Sequence, residues 1–397
     1  MKKFLPIILG SDLNTYSIAR EIHEAYGIKS VVATSAIFLP CIDSEIIKFY
    51  KKKNFSKDTE VFSSLLNKIY HDYKDSSDDF IIFAPDDYMR NFLITNLDLL
   101  DFKPKLPYAD IDTINSIKTK DEFNQKIAHL GLVPQTILAN EGNYKDLDFP
   151  DNVFIKADDD VFYKKLDFEG WQKGYHSKSK KQTIKILENI FANGYDRNMM
   201  VQEFVAGGDG SEFSIDGYRS KAGFSMSACK NVMLDKRPDW VGNFVAKIDT
   251  DQDILYDYAR KIVESLGVYG LFNIDFKKDI DTGKIYAFEI NLRQGRCHYY
   301  ATQNGVNLSK IALEDLIFDN RMEVIGDKPF AYYNLDLDQT LENMADDLKE
   351  EFTSPVRFDN CINPLVYDKD WNWKRRKKIE KYLNRLGKET FAYTEIQ

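Results

Sequence analysis

The chain has 397 residues, of which 43% are hydrophobic and 14% aromatic, and its formal net charge is -9. Its length suggests two or three lobes rather than one core, and its acidic balance argues against a general nucleic-acid-binding protein. The four cysteines contain no C-x-x-C pair, so the sequence predicts neither a disulfide framework nor a zinc site and favours a cytoplasmic protein.

The N-terminal segment shows the alternation typical of a parallel α/β domain. An apolar run at 4–9 is too short for the core of a signal peptide, and we interpret it as a strand. Helical spacing over 18–26 and a second apolar run at 31–32 follow. The stretch 101–113, rich in proline and aspartate, marks the expected end of this domain.

A further strand at 80–85 runs directly into two aspartates. We interpret Asp86 and Asp87 as caps of the helix that follows, because short acidic side chains satisfy free amides at a helix start.

The middle of the chain contains two more predicted lobes. A helix that ends at Gly131 precedes strands at 152–157 and 199–205, and the lysine-rich section between these strands is expected to be mobile and exposed to solvent. No apolar stretch is long enough to cross a bilayer, so we expect a soluble protein. The four predicted domains are 1–112, 113–205, 206–325 and 326–397.

Apolar and polar residues alternate on both strands of a predicted hairpin around the turn 281–283. On the second strand, Tyr286 and Phe288 are predicted to face the apolar side and Glu289 the polar side. Counting back from the turn places Asp275 opposite Glu289.

Two facing carboxylates destabilise a sheet by up to about 1 kcal/mol, so the pair calls for a compensating positive charge. Magnesium prefers hard oxygen ligands, and Asp275, Glu289 and Asn291 offer three. Arg293, next on the same face, is predicted to lie beside bound phosphates. A solvated sheet face with an Arg–Glu ion pair is the alternative interpretation.

The hairpin segments "GLFNIDF" and "YAFEINLRQGR" resemble the C-terminal core of ATP-grasp carboxylate–amine ligases. Within that superfamily, "LGSDLNTYSIAR", "VQEFVAGGDGSEF" and "FEINLRQGR" followed by "NGVNL" resemble the D-aspartate ligases of lactic-acid bacteria and enterococci. The resemblance covers the chain from about residue 4 to about residue 320. It implies an α/β protein with the ATP-grasp fold and an N-terminal Rossmann-like domain, which uses ATP with Mg²⁺, or alternatively Mn²⁺.

The resemblance implies two phosphate-binding lysines. Lys120 and Lys156 match the two lysines that hold the nucleotide phosphates, and Lys118 is a rival of Lys120 for the first position. The loop over the phosphates carries few glycines here, and Lys173 would replace their backbone contacts.

The segment 201–205 matches the hinge between the two ATP-grasp lobes. Glu203, with the backbone of Phe204 and Val205, would therefore face the adenine, and Glu212 would hold the ribose hydroxyls.

By the same resemblance, Asp275, Glu289 and Asn291 match the metal ligands. Arg293 matches the arginine that stabilises charge on the acyl phosphate and the tetrahedral intermediate, and Arg296 would hold a substrate carboxylate. His298 is expected to lie on the acceptor side and to help select the substrate.

The implied reaction joins the β-carboxylate of D-aspartate to the lysine side-chain amine of UDP-MurNAc-pentapeptide through an acyl phosphate. Asn273 stands where the D-alanine ligases carry arginine, which argues against D-alanyl-D-alanine synthesis. A ligase for another acid and amine is one alternative, and a nucleotide-binding protein without catalysis is another.

The segment 370–388 predicts a basic amphipathic helix, with eight basic residues and one acidic residue between Lys374 and Lys388. One interpretation is contact with an anionic membrane surface or with the nucleotide-linked substrate. We favour the other, a terminal helix docked on the acidic body of the protein.

Overall fold

The computed structural model describes residues 2–237, 240 and 242–392. The strands form three sheets of four, seven and four strands, with helices packed on them, which confirms the predicted α/β class. Within these residue ranges, no helix is long and apolar enough to cross a membrane.

The N-terminal sheet is parallel throughout and has the strand order β3-β2-β1-β4. The predicted strand, helix and strand at its start are confirmed. Asp12 caps the first helix by accepting the Thr15 amide at 2.9 Å, and Gly27 ends it in the left-handed conformation. The elements are β1 (Phe4–Leu9), α1 (Leu13–Tyr26), β2 (Ser30–Thr34), β3 (Ile47–Lys51), α2 (Thr59–Tyr73), β4 (Asp79–Phe83) and α3 (Asp87–Thr95).

The two aspartates after β4 have different roles. Asp86 caps α3 by accepting the Met89 amide at 2.7 Å, as predicted. The prediction for Asp87 is wrong, because its side chain points to arginines instead, 2.9 Å from Arg90 and 2.7 Å from Arg293.

The second sheet is antiparallel, with the order β5-β8-β6-β7. A Thr119–Glu122 capping box starts the predicted helix, and Gly131 ends the short turn after it. The section expected to be mobile contains a strand, because Tyr175 and its neighbours pack inward. The elements are α4 (Ile111–Asn115), α5 (Lys120–Ile127), β5 (Thr136–Ala139), β6 (Val153–Ala157), α6 (Asp160–Tyr163), β7 (Gly174–Ser177), α7 (Lys180–Ala192) and β8 (Met199–Glu203).

The third sheet has the order β13-β12-β9-β10-β11-β14-β15 and supplies the predicted hairpin at one edge. Its last two strands come from the 326–397 segment, so the C-terminal part of the chain extends this sheet. The strands are β9 (Glu212–Arg219), β10 (Phe224–Leu234), β11 (Phe244–Ile248), β12 (Gly270–Lys278), β13 (Ile285–Asn291), β14 (Ala331–Tyr333) and β15 (Cys361–Ile362). The helices are α8 (Ile254–Ser265), α9 (Tyr300–Gln303), α10 (Leu308–Phe318), α11 (Leu337–Glu342), α12 (Asp346–Phe352), α13 (Pro355–Phe358) and α14 (Trp373–Phe391).

The basic helix α14 docks on the body of the protein through its apolar face. Ile379 and Leu383 are buried in the core that also contains residues of α1. Arg375, at 0% exposure, donates to the carbonyls of Pro40 and Ile42, both at 2.9 Å. The favoured interpretation of a docked terminal helix is confirmed, and α14 docks both on the N-terminal unit and on α11.

Candidate active site

The predicted pairing of the two carboxylates is confirmed. Asp275 on β12 lies opposite Glu289 on β13, and Asn291 follows on the same face, opposite Asn273. Ser214 Oγ donates to Asp275 Oδ1 at 2.8 Å, while Asn291 Nδ2 lies 3.5 Å from Glu289 Oε1. The three predicted metal ligands therefore meet at one edge of the seven-stranded sheet.

A β-bulge overturns part of the predicted alternation on β13. The register passes from Asp275–Glu289 to Phe276–Ala287 and leaves Phe288 without a partner residue. Ala287 therefore joins the apolar core. The assignment of Tyr286 to the apolar face is wrong, because its hydroxyl lies 3.4 Å from Glu203 Oε1 across the gap between the second and third sheets.

The carboxylate pair has the electrostatics of a cation site. Burial raises the pKa of Asp275 to about 7, and Glu289 adds to the rise, whereas the charge of Lys247 opposes it. Asp275 thus holds a proton more readily than an exposed aspartate. A divalent cation at this position relieves the same repulsion.

The donor set fits Mg²⁺, which binds few protein carboxylates and completes its shell with phosphates and water. Two carboxylates and the Asn291 amide supply hard oxygens of this kind. Within the described ranges, no group of three or more His, Cys, Asp or Glu residues is arranged to hold a metal.

Arg293 is held in place on three sides. Its Nε donates to Asp87 Oδ2 at 2.8 Å, its Nη2 to Asn291 Oδ1 at 3.2 Å and its Nη1 to the Gln294 carbonyl at 2.9 Å. The guanidinium therefore lies beside the predicted metal ligands and is oriented by the N-terminal unit.

Arg296 lies at the rim of the site and is exposed. Its Cζ is 3.9 Å from the centre of the Trp240 ring, and the Cζ of Arg237 is 4.4 Å from the same ring. Trp240 was not predicted as a site residue, since tertiary packing alone brings it to Arg296.

The two lysines predicted to bind phosphate lie on helix α5 and on strand β6 of the second sheet. Lys120 is the first residue of α5 and is partly buried, whereas Lys118 is exposed in the turn before it. Lys156 lies on β6, and its Nζ is 5.0 Å from the centre of the Phe288 ring on β13. A hydrogen bond of 3.0 Å from the Asp121 amide to Asp158 joins the start of α5 to the end of β6.

The predicted hinge connects the second and third sheets. The Glu203 carboxylate lies 3.3 Å from the Gln135 amide, which donates to it, and faces the Tyr286 hydroxyl. Phe204 stacks on His176 with ring centres 3.9 Å apart, and Val205 is buried. The structure thus offers a flat aromatic surface beside the proposed adenine position.

Glu212 and Lys173 mark two further edges of the site. Glu212 starts β9, and its Oε1 lies 3.6 Å from Lys277 Nζ. Burial raises the pKa of Glu212, and Lys277 opposes the rise. Lys173 Nζ approaches Gly242, where a Cβ atom would lie 3.5 Å from it. The loop of the second sheet thus reaches the segment that carries Trp240.

Lys247 on β11 was missed by the sequence analysis. It is 2% exposed, with Nζ 3.8 Å from Cys229 Sγ and 4.8 Å from the centre of the Tyr300 ring. Burial disfavours its charge, but the nearby Cys229 and Cys297 thiols, followed by Asp216 and Asp275, hold the pKa of Lys247 above its ordinary value. Lys156 was identified because it lies at the end of an apolar strand, where an unpaired charge is costly. Lys247 lies within the apolar strand "FVAKI", so the same criterion would have identified it.

The loop that carries Arg293 and Arg296 is held by a buried aspartate on β9. Asp216, fully buried, accepts the Gly295 amide at 2.5 Å, and a Cβ at Gly295 would lie 2.7 Å from Asn273 Nδ2. His298 is also fully buried, with Nε2 3.5 Å from Glu21 Oε1. The expectation that His298 helps select the substrate is wrong, because its ring faces the protein interior.

Comparison with known proteins supports the same fold and chemistry. The family model described as "ATP-grasp in the biosynthetic pathway with Ter operon" matches residues 196–329, which include the hinge and the carboxylate pair. The D-aspartate ligase of Enterococcus faecium is 28% identical over 327 residues, which cover 80% of this chain and 78% of that protein.

Two solved structures share the architecture. N5-carboxyaminoimidazole synthetase from Staphylococcus aureus, complexed with ADP, has a TM-score of 0.58 at 17% identity and covers 86% of each chain. The L-amino acid ligase from Bacillus licheniformis has a TM-score of 0.54 at 14% identity, over 80% of this chain and 75% of its own.

These matches agree with the three-sheet architecture, the hinge between the second and third sheets, and the edge hairpin with its paired carboxylates. The chain therefore has the ATP-grasp fold, matches an ATP-grasp family over residues 196–329, and is a ligase that forms carbon–nitrogen bonds.

Proposed function

We propose that this ligase joins the β-carboxylate of D-aspartate to the lysine side-chain amine of UDP-MurNAc-pentapeptide, for the peptidoglycan cross-bridge. The observation that carries the proposal is the similarity to a D-aspartate ligase over 80% of the chain. The paired Asp275 and Glu289, with Arg293 beside them, give the reaction a site.

ATP would bind between the second and third sheets. Lys120 and Lys156 neutralise charge on its phosphates, and Lys173 replaces the backbone contacts of a glycine-rich loop. The remaining nucleotide contacts are assigned to Glu203, Phe204 and Val205 at the adenine and to Glu212 at the ribose. The stacked Phe204 and His176 rings support the adenine position.

Asp275, Glu289 and Asn291 would hold Mg²⁺, which polarises the phosphates when bound. The two lysines orient the γ-phosphate while a carboxylate oxygen of the acid forms a bond to phosphorus and ADP leaves. The product of this step is an acyl phosphate. A free carboxylate loses oxygen poorly, whereas an acyl phosphate releases phosphate readily.

Arg293 stabilises the second step. The amine forms a bond to the acyl carbon, negative charge develops on the carbonyl oxygen, and phosphate then leaves as the amine loses a proton. Arg293 is fixed by Asp87 and Asn291, so its donors are preorganised for that oxygen. Arg296 would hold a carboxylate of a substrate at the rim.

The test is phosphate release from ATP in the presence of Mg²⁺ and UDP-MurNAc-pentapeptide, with D-aspartate, L-aspartate, D-alanine and other acids compared. Release confined to D-aspartate, with a product heavier by one aspartyl residue by mass spectrometry, is the expected result. Release with a different acid only would retain the reaction type and refute the proposed substrate.

A reaction that uses ATP and a nucleotide-linked precursor belongs in the cytoplasm, which agrees with the free cysteines. Contact of α14 with an anionic membrane surface stays a prediction. Trp373 is 72% exposed next to exposed Lys374 and Lys377, which supports it. Sedimentation with anionic vesicles, compared with a Lys374→Glu, Lys377→Glu variant, would test it.

A further inference from the structure

A cluster of cationic and aromatic side chains lies at the rim of the site, outside the proposed nucleotide and metal positions. Trp240 lies within 4.5 Å of two guanidinium carbons, those of Arg237 and Arg296. Of the two arginines, Arg237 is paired with a carboxylate. Asp235 binds Arg237 through Nε at 2.9 Å and Nη2 at 2.5 Å.

Arg296 makes no ion pair with any residue that the structure describes, and it is exposed. A guanidinium stacked on an indole ring keeps its edge donors free for a planar or tetrahedral oxyanion. Arg296 is therefore oriented by Trp240 while its hydrogen-bonding capacity remains available.

The C-terminal helix packs a tyrosine against the core beside this cluster. Tyr382 is partly buried between Ile379 and Leu383, in the core that also contains Cys297, the residue after Arg296. Burial raises the pKa of Tyr382, and the nearby charges of Arg237 and Arg296 oppose the rise. The phenol thus lies within electrostatic range of both arginines.

The position of Tyr382 is fixed by the contacts that hold α14 on the N-terminal unit. Arg375 lies seven residues earlier, two turns away on the same face of α14, and is bonded to the carbonyls of Pro40 and Ile42. Asp12, which caps α1 at the carboxyl end of β1, also acts on the Tyr382 phenol. Substrates of open parallel sheets bind at this end of the strands.

We propose that Arg296, supported by Trp240 and Arg237, binds an oxyanion of the amine substrate together with Tyr382, so that the C-terminal helix contributes to acceptor selection. This inference rests on the proposed function. Arg293 lies deep beside the carboxylate pair, where the acid must meet the phosphate. The rim is left for the larger, amine-bearing substrate, whose oxyanions are peptide carboxylates and a diphosphate.

The inference can be tested with two amines of different charge. Hydroxylamine traps the acyl phosphate as a hydroxamate and carries no oxyanion, whereas UDP-MurNAc-pentapeptide carries several. Arg296→Gln and Tyr382→Phe should each raise the KM for the muropeptide roughly tenfold more than the KM for hydroxylamine, since each loses a hydrogen bond to a charged group. Arg376→Gln, on the outer face of the same helix, is the matched control.

Equal changes with both amines, or no change with either, would overturn the inference. Free pentapeptide, which lacks the diphosphate, identifies the bound oxyanion. With this substrate, Arg296→Gln should no longer raise the KM if the arginine binds the diphosphate, and should still raise it if the arginine binds a carboxylate. Calorimetric binding of the muropeptide to the ADP-loaded protein provides a readout that needs no catalysis. If both variants bind the muropeptide more weakly than the wild type, the inference is supported. If no hydroxamate forms, only the proposed function is refuted.

Discussion

Arg293 Nε donates to Asp87 Oδ2 at 2.8 Å, and Nη2 lies 2.7 Å from the same oxygen. This contact joins helix α3 of the N-terminal unit to the loop that follows β13 in the third sheet. The N-terminal unit therefore contributes directly to the site by orienting the arginine beside the carboxylate pair.

Asp87→Asn should lower kcat roughly tenfold, because Arg293 loses a charged acceptor and its preferred orientation. Nucleotide affinity should stay within a few fold, since Asp87 is not among the proposed nucleotide contacts. Steady-state kinetics and ADP titration check this, with exposed Asp75→Asn as the control. A wild-type kcat in the variant would show that Arg293 needs no support from Asp87.

Arg293→Ala should reduce turnover by about 10²- to 10³-fold, the typical cost of removing one preorganised donor to a developing oxyanion. ADP binding should be largely retained. Arg321→Ala, which removes an exposed arginine paired with Asp319, is the matched control. Unchanged turnover in Arg293→Ala would remove the arginine from the mechanism.

Features that depend on local pattern could be predicted from the sequence. The strand and helix at the N-terminus follow from periodicity and from caps such as Asp12. The pairing of Asp275 with Glu289 follows from period-two alternation and the position of the turn. Both need only neighbouring residues, so one sequence contains enough information.

Features that depend on contacts distant in sequence could not be predicted in this way. The bulge at Phe288 inserts one residue into an otherwise regular alternation and turns Tyr286 toward Glu203. Arg375 belongs to a run of exposed basic residues, yet it is buried because Pro40 and Ile42 present free carbonyls to it. The tertiary structure decides which arginine of such a run enters the core.

Combined Asp275→Asn and Glu289→Gln substitutions should abolish Mg²⁺-dependent ATP turnover, because the two charged ligands of the proposed site are lost. The fold should persist, since the change removes a like-charge contact from the sheet. Asp281→Asn, in the turn of the same hairpin, is the control. If turnover survives in the double variant, the cation binds elsewhere.

The buried His298 should make stability depend on pH. Burial alone would lower its pKa, but the Glu21 carboxylate outweighs burial and raises the pKa of His298. The unfolded chain titrates near about 6.5. The folded state therefore binds the proton more tightly, and this contribution is complete below that pH and is lost as the pH rises through the raised pKa.

His298→Gln should accordingly cost about 1–3 kcal/mol of unfolding free energy at pH 5.5, the usual cost of leaving a buried polar group, here the Glu21 carboxylate, without its charged neighbour. The cost should be smaller at pH 9. Urea denaturation at both pH values checks this, with exposed His71→Gln as the control. A cost that is the same at both pH values would show that packing, and not charge, explains the role of His298.

Arg375 and Arg376 are adjacent in sequence and should differ sharply in their effect on stability. Arg375 is fully buried, and its Nε lies 3.4 Å from Asp370, which in turn accepts from Tyr16 and Ser44. Arg375→Ala leaves a buried carboxylate and two carbonyls without this partner, so we expect a loss of about 3–5 kcal/mol.

Arg376 is exposed and pairs with Glu380 one turn later, so its replacement by alanine should change the unfolding free energy by less than about 0.5 kcal/mol. Chemical denaturation of both variants measures the difference. A large loss for Arg375→Ala alone would show that the C-terminal helix is an integral part of the N-terminal core. Similar small losses for both would mean that α14 is held by its apolar residues, and Tyr382 would then depend on Ile379 and Leu383 for its position.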